Sequence, residues 1–183
     1  MRHTYQTQQW LPCPVDLLFE FLINPQNLPP LMPRWQCARV EEAALVAPPP
    51  GPPSRYKLRS VAAGVGSSIT ISFRPFPLSP LRVPWEATIT DFVWNEFFCD
   101  QQEPKRGPFA FWRHCHRVAA AVKDGVDGTT TTDHVEYELP LGKLGELGRG
   151  LMARQIRGIF IHRQRRLADI LASILTAAGK PGP

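Results

Sequence analysis

The sequence changes its hydrophobic period once, near residue 140, and this change constrains the fold more than any other feature. Before it, short segments alternate apolar and polar residues, as β-strands with one buried face do. After it, segment 143–178 contains no proline and carries apolar residues at helical spacing. A helix of roughly 30 residues would be about 45 Å long. A helix of that length in a chain of 183 residues must bury one side against a sheet.

The alternating segments predict a first strand at 4–11, then a pair of short helices within 14–33, where prolines begin and end the turns. Strands followed by one helix indicate an α+β fold, with a curved antiparallel sheet of about seven strands around the long C-terminal helix. Residues 123–128 predict the turn between the last two strands. The later strands are predicted at 35–42, 55–62, 67–74, 85–93, 96–102, 108–122 and 129–139.

The C-terminal helical segment has two apolar rows and one basic side. The main row predicts buried residues at Leu144, Leu147, Leu151, Gln155, Ile159, Arg163, Leu167, Ile170, Leu171, Ile174 and Leu175. A second row holds Met152, Ile156 and Phe160. The run 161–167, with Arg149, Arg154 and Arg157, predicts a solvated basic side. A nucleic-acid surface is an alternative for it, but the run lacks interleaved aromatic residues.

Composition excludes several classes of protein. The net charge of +5 permits an acidic partner without requiring one. No apolar run is long enough to span a membrane. We expect one domain at 1–178 and a flexible tail at 179–183.

The cysteines predict a reducing compartment. The four cysteines form no CxxC pair, and residues 1–11 lack the apolar core of a secretion signal. We therefore expect free thiols, Cys99 and Cys115 among them, and a cytoplasmic protein. Together, the lack of a long apolar run and the cysteine pattern exclude a membrane protein, a zinc ribbon and a disulfide miniprotein.

Two proline-rich segments interrupt the pattern. Residues 47–53, APPPGPP, predict a stiff exposed loop, since proline lacks the N–H group that helices and central strands need. Residues 74–84, RPFPLSPLRVP, also carry four apolar side chains. That second loop is either an ordinary packed connection or the cover of a pocket mouth.

The densest group of chemically capable side chains lies in GPFAFWRHCHR, residues 107–117. Alternation along a strand puts Trp112, His114 and His116 on one face, while the arginines occupy the other. Because arginine favours water, we expect the first face to point inward. On the partner strand, the same argument turns Asp133 and Tyr137 inward, beside the two histidines.

Three interpretations of the polar cluster remain open. His114, His116 and Asp133 could supply three metal ligands, but a lone HxH motif is weak evidence, and we predict no metal and no cofactor. They could carry acid–base catalysis of a cyclisation or dehydration. They could also be a self-satisfied buried polar group, or polar contacts that orient a ligand.

Several large apolar residues could line a cavity between sheet and helix. Each could equally be plain core. With the polar cluster, the predicted wall consists of Trp85, Phe97, Trp112, Tyr137, Ile156 and Phe160.

The order of elements resembles the START/Bet v 1 (SRPBCC, helix-grip) superfamily, including its polyketide cyclase/dehydrase-like and ligand-binding bacterial members. The resemblance is strongest over 91–166, through FCDQQ, GPFAFWRHCHRV, TTTTDHVEYELPLGKLGELG and the helix with IFIHRQRRL. The early segment PVDLLFEFLINPQNLPPLMP is similar to the family's first helical pair. The resemblance implies a seven-stranded sheet gripping the last helix, with a cavity for lipids, polyketides or other apolar molecules. Its soft motifs carry no catalytic signature.

We therefore expect a protein that binds a small, mostly apolar ligand, for transport or sequestration. One alternative is a cyclase or dehydratase without metal that uses His114, His116 and Asp133. Another is an interaction protein that uses the basic helix side and has a filled core. We expect no nucleic-acid partner and no membrane span, and the sequence leaves the oligomeric state open, a homodimer included.

Overall fold

The computed structural model describes residues 1–52 and 61–178. The strand predicted at 55–62 and the tail predicted at 179–183 lie outside the described residues, apart from 61 and 62, which are not in a strand.

The described residues form one antiparallel sheet of seven strands and a long C-terminal helix, so the predicted α+β architecture is confirmed. The spatial order is β1-β7-β6-β5-β4-β3-β2, in which each neighbouring pair is antiparallel. The strands are β1 (Arg2–Leu11), β2 (Arg39–Ala44), β3 (Ser68–Phe73), β4 (Val83–Val93), β5 (Phe97–Gln102), β6 (Phe111–Lys123) and β7 (Val126–Glu138). The α-helices are α1 (Val15–Leu22), α2 (Leu28–Leu31) and α3 (Arg149–Ala178).

The principal core lies where α1 meets the second half of α3. Leu17, Leu18 and Phe19 of α1 are completely buried. They belong to one apolar cluster with Leu167 and Leu171 of α3. The first half of α3 contributes Ile156 and Phe160 to a second apolar cluster, which they form with Trp112, Val135 and other residues of the sheet.

The hairpin between β6 and β7 is tighter than the sequence predicts. Lys123 pairs with Val126, so the turn contains only Asp124 and Gly125. Both residues have positive φ, of 52° and 76°, as a two-residue turn matched to strand twist requires. The turn predicted at 123–128 is therefore too long.

The start of the long helix also differs from the prediction. Gly145–Gly148 forms a separate 3-10 turn, and α3 begins at Arg149. Consequently Leu144 and Leu147, which precede α3, are exposed rather than buried, and Leu151 in the first turn of α3 is exposed as well. Ile156 and Phe160, from the second row, are buried in their place.

A disulfide links Cys99 of β5 to Cys115 of β6, so the prediction of free thiols is wrong for this pair. The two residues face each other directly across the strands, with Cα atoms 4.1 Å apart. Such proximity follows from the strand register, which the sequence spacing does not reveal. Cys13 and Cys37 are free; burial and the nearby Asp16 carboxylate raise the pKa of Cys13 to about 11.

None of the helices among the described residues combines the length and apolar character needed to cross a membrane.

The disulfide should contribute measurably to stability. It closes a loop between residues 16 positions apart, which limits the unfolded chain. We expect the double variant Cys99→Ser/Cys115→Ser to lose about 3 kcal/mol of unfolding free energy in urea. The exposed Cys37→Ser is the control and should change it by less than about 0.5 kcal/mol. A wild-type urea midpoint that reductant leaves unchanged would contradict the stabilising role.

Candidate ligand cavity

A cavity of about 240 Å³ lies between the inner face of the sheet and the first half of α3. Most of its wall is apolar, and the side chains come from β3, β4, β5, β6, α2 and α3. Four of the predicted wall residues line it, namely Trp85, Trp112, Ile156 and Phe160. The alternation that assigns inner and outer faces from the sequence is therefore confirmed for β4 and β6.

Phe97 does not line the cavity, so this part of the predicted wall is wrong. Its ring lies on the outer face of β5, with the Arg117 guanidinium 4.7 Å from the ring centroid. Phe98, the next residue, points inward and stacks on the His116 ring, with centroids 4.5 Å apart. Deciding which of the two aromatic residues faces inward requires knowing which residues of β5 alternate onto the inner face, and the sequence prediction does not establish this.

Tyr137 is inward and buried, as predicted, but it lies outside the cavity lining. Its ring packs against His3 and Phe109, within the apolar cluster beside the cavity. Tyr137 therefore supports the wall without forming it.

The two histidines meet one carboxylate. Nε2 of His114 lies 2.9 Å from Oδ1 of Asp133 and forms a hydrogen bond with it. Nδ1 of His116 lies 2.7 Å from the same oxygen, although off the line of a well-aligned hydrogen bond. Strand register explains the meeting, since Asp133 is directly opposite His116. The sequence prediction that these three side chains converge is correct.

Two groups of this cluster, Asp133 and His116, have strongly shifted pKa values. Burial opposes charge on Asp133, but the hydrogen bond from His114 and the close His116 imidazole hold the pKa of its carboxyl well below the usual range. Burial, together with His114, lowers the pKa of His116 to about 3. An ionised Asp133 accepts, so the neutral His116 imidazole carries its proton on Nδ1 and has a free lone pair on Nε2.

Asp100 is a cavity residue that sequence reasoning missed. It follows Phe98 on the inner face of β5 and is paired with His114 across the strands. Burial raises the pKa of its carboxyl, although His114 and Arg163 act in the opposite direction. Its Oδ1 lies 3.9 Å from Nδ1 of His114. The sequence contains the signal for Asp100, because the strand alternation that places Phe97 on the outer face of β5 places Asp100 on the inner face.

Asp100, His114 and His116 are the described residues that could hold a metal ion. Each offers one ligand atom, and these atoms lie within 4.8 Å of one another. Zinc needs ligand atoms at about 2.0–2.2 Å, so the three side chains would have to close inward. The positive Arg163 also lines this end of the cavity and opposes a cation. The arrangement fits a polar ligand group better than a metal.

The proline-rich loop after β3 forms part of the cavity wall. Pro75 and Phe76 line the cavity, and the Gln155 side-chain amide on α3 donates a hydrogen bond of 3.0 Å to the Pro75 carbonyl. This contact ties the loop to the helix. Of the two interpretations of residues 74–84, the structure favours a loop that covers the mouth of the cavity.

No protein-family model and no curated protein match the sequence. Solved structures do match its fold. Protein CV1439 from Chromobacterium violaceum aligns with a TM-score of 0.62 and 14% identity, over 92% of this chain and 96% of its own. Norcoclaurine synthase from Thalictrum flavum, solved with dopamine and hydroxybenzaldehyde, aligns with a TM-score of 0.58 and 13% identity, over 100% of this chain and 90% of its own.

The structure of Ara h 8.0201 extends the likeness, with a TM-score of 0.55 and 12% identity over 92% of this chain and 99% of its own. Identities this low establish the fold alone. The described chain thus has the helix-grip fold of the START/Bet v 1 superfamily, as the sequence resemblance implies.

Acid should destabilise the protein through His116. Its pKa is about 3 when folded and about 6.5 in an unfolded chain, so only the unfolded chain binds the proton between these values. The unfolding free energy should therefore fall as pH decreases from about 6.5 towards 3, by up to about 1.4 kcal/mol per pH unit. Asp100, whose pKa is raised, offsets part of this loss.

The variant His116→Gln isolates this effect. Urea unfolding followed across the same pH range should give a shallower slope for His116→Gln than for the wild type. His134→Gln is the matched control, because His134 lies on the outer face of β7. Equal slopes for the wild type and His116→Gln would rule out His116 as the source.

Proposed function

We propose that this protein binds a small, mostly apolar molecule that carries one hydrogen-bond donor, with the donor directed at Nε2 of His116. The observation that supports the proposal is an apolar cavity with all its titratable side chains gathered at one end, at Asp100, His114, His116 and Arg163. Ligand pockets generally combine apolar walls with a few placed polar groups.

The size of the cavity narrows the ligand class. Its volume of about 240 Å³ is slightly below the usual range of ligand pockets, which is about 300 to 1,000 Å³. A compact aromatic or bicyclic molecule fits such a space better than a long acyl chain. Binding would derive chiefly from burial of the ligand's apolar surface against Trp85, Trp112 and Phe160.

The protonation state of the cluster specifies the polar group. Asp133 is ionised and His116 is neutral with its proton on Nδ1, so Nε2 of His116 is left as an acceptor. None of the hydrogen bonds among the described residues uses this nitrogen. A ligand hydroxyl or N–H can donate to it, whereas a ligand without a donor leaves it unsatisfied.

The probe pair 1-naphthol and naphthalene tests this preference. The two differ by one hydroxyl, and quenching of the cavity tryptophans Trp85 and Trp112 reports binding. We expect 1-naphthol to bind about five- to tenfold more tightly, the value of one net hydrogen bond. In Asp133→Asn, whose carboxamide no longer fixes the imidazoles, the preference should shrink. Equal affinities in the wild type would contradict the proposed polar recognition.

A cavity-filling variant tests the location. Ala87 lines the cavity, so Ala87→Phe should remove binding of 1-naphthol. Ala119→Phe is the matched control, because Ala119 is exposed on β6. Unchanged binding by Ala87→Phe would show that the probe binds elsewhere.

Acid–base catalysis is a second candidate function, and the opposite pKa shifts of two neighbouring carboxyl groups favour it. Asp133 is held ionised, while burial raises the pKa of Asp100 at the same cavity end. Such paired shifts are typical of acid–base sites. A cyclase or dehydratase would use a His114 or His116 nitrogen as base.

Exchange of the α-protons of 2-tetralone in D₂O, followed by proton NMR, tests for such a base. A catalytic site should accelerate exchange above the buffer rate, and His114→Ala should lower the accelerated exchange rate at least about tenfold. His134→Ala serves as the control. Exchange at the buffer rate leaves binding as the function.

The interaction-protein alternative requires a filled core, whereas the described residues enclose a cavity. The predicted cytoplasmic localisation stays a prediction. The Cys99–Cys115 disulfide is more typical of an oxidising compartment.

A further inference from the structure

One end of the sheet gathers three connecting segments around the cavity mouth. Strands β3, β5 and β7 end there, and β1, β4 and β6 begin there. The loops 74–82 and 103–110 and the segment 139–148 therefore share this end. The cavity is lined at this end by Pro75, Phe76 and Pro108 from the loops and by Met152 of α3.

These segments expose an unusual amount of large apolar surface. All the exposed leucine and phenylalanine side chains among the described residues lie on them or on the first turn of α3. Leu78, Leu141 and Leu147 are 94%, 80% and 88% exposed. We call the set the apolar rim; it consists of Phe76, Leu78, Leu81, Leu141, Leu144, Leu147 and Leu151. Exposed apolar side chains gathered at one end of a sheet are typical of an interaction surface.

Two rim leucines occupy backbone conformations that leucine disfavours. Leu78 has φ of 64° and Leu141 has φ of 65°, in the left-handed region where glycine or asparagine is usual. Glycine would relieve the backbone strain at either position. The leucine side chains point into water and bury nothing within the chain, so folding does not explain them.

The rim is also positively charged. Lys105, Lys143 and Arg149 are exposed on the same segments. Among the described residues, none of the three has a carboxylate within 4.0 Å. The nearby Glu146 is already engaged by the His3 imidazole at 2.9 Å. Apolar side chains bordered by unpaired cations match the boundary between anionic headgroups and acyl chains.

We propose that the apolar rim docks on the surface of an anionic lipid bilayer, with the cavity mouth facing the membrane. A second copy of this chain fits the rim less well, because face-to-face contact would bring Lys105, Lys143 and Arg149 of both copies together. The rim rests on exposed residues, of which Phe76 alone also lines the cavity. It therefore goes beyond the proposed ligand binding and can be tested apart from it.

Vesicle co-sedimentation of the full chain tests the proposal. We expect binding to vesicles of phosphatidylcholine mixed with phosphatidylglycerol, and weaker binding to phosphatidylcholine alone. The double variant Leu78→Asp/Leu147→Asp should lose at least about tenfold in partitioning, since two apolar contacts are removed. Lys105→Gln and Lys143→Gln should each lose about fivefold on the mixed vesicles.

The control variant Val122→Asp/Val126→Asp changes exposed apolar residues on the hairpin at the opposite end of the sheet. It should partition as the wild type does. The cavity-filled Ala87→Phe should also keep vesicle binding, so a failure of ligand binding does not count against docking. Absence of binding to the mixed vesicles, or equal loss in the Val122 and Val126 control, would overturn the proposal. So would a concentration-dependent dimer that Leu78→Asp abolishes.

Discussion

The packing of α1 against the second half of α3 is the contact on which the rest of the structure depends. Phe19 is fully buried and meets the rings of Phe92, Trp94 and Phe98, so α1 closes one end of the curved sheet. Leu167 and Leu171 join this cluster and fix the second half of the helix. A 30-residue helix fixed at one half must carry its other half out over the sheet as a rigid rod.

The cavity follows from that arrangement. Under the first half of α3, Ile156 and Phe160 reach down towards the sheet and are buried, and Met152, Gln155, Ile159 and Arg163 also line the cavity. The helix is held there by polar contacts at its flanks. Gln164 donates to the Thr7 hydroxyl of β1 at 3.0 Å, and Gln155 donates to the Pro75 carbonyl. Attachment by the flanks leaves the space beneath the helix open to a ligand.

The buried charge at the polar end of the cavity is tolerated because neighbouring side chains are already oriented to stabilise it. An ionised carboxylate buried alone would be strongly destabilising. Here Asp133 forms a hydrogen bond with His114 Nε2 and lies 2.7 Å from His116 Nδ1, and these contacts orient both rings. The neutral His116 keeps Nε2 as an acceptor in the apolar cavity, and an acceptor in such surroundings favours ligands that donate to it.

Sequence periodicity predicted the inner faces of β4, β6 and β7, because alternation is a local property of the strand. It also placed Trp112, His114, His116 and Asp133 together. What it missed depends on information that a single strand does not contain. Predicting the disulfide requires the register between β5 and β6. Predicting Phe98 and Asp100 as inward residues, in place of Phe97, requires knowing which face of β5 points inward. Helical spacing alone could not show that Leu144 and Leu147 precede α3.

Leu78 and Leu141, which have positive φ, reveal a difference between the two ends of the sheet. At the hairpin end, the β6–β7 turn uses Asp124 and Gly125, residues suited to positive φ, and exposes only valines nearby. At the cavity end, leucine takes the same backbone region twice. A chain shaped only by its own folding would favour the first solution at both ends. Strain and exposed apolar surface coincide where the cavity opens, as the proposed docking of that end on a membrane requires.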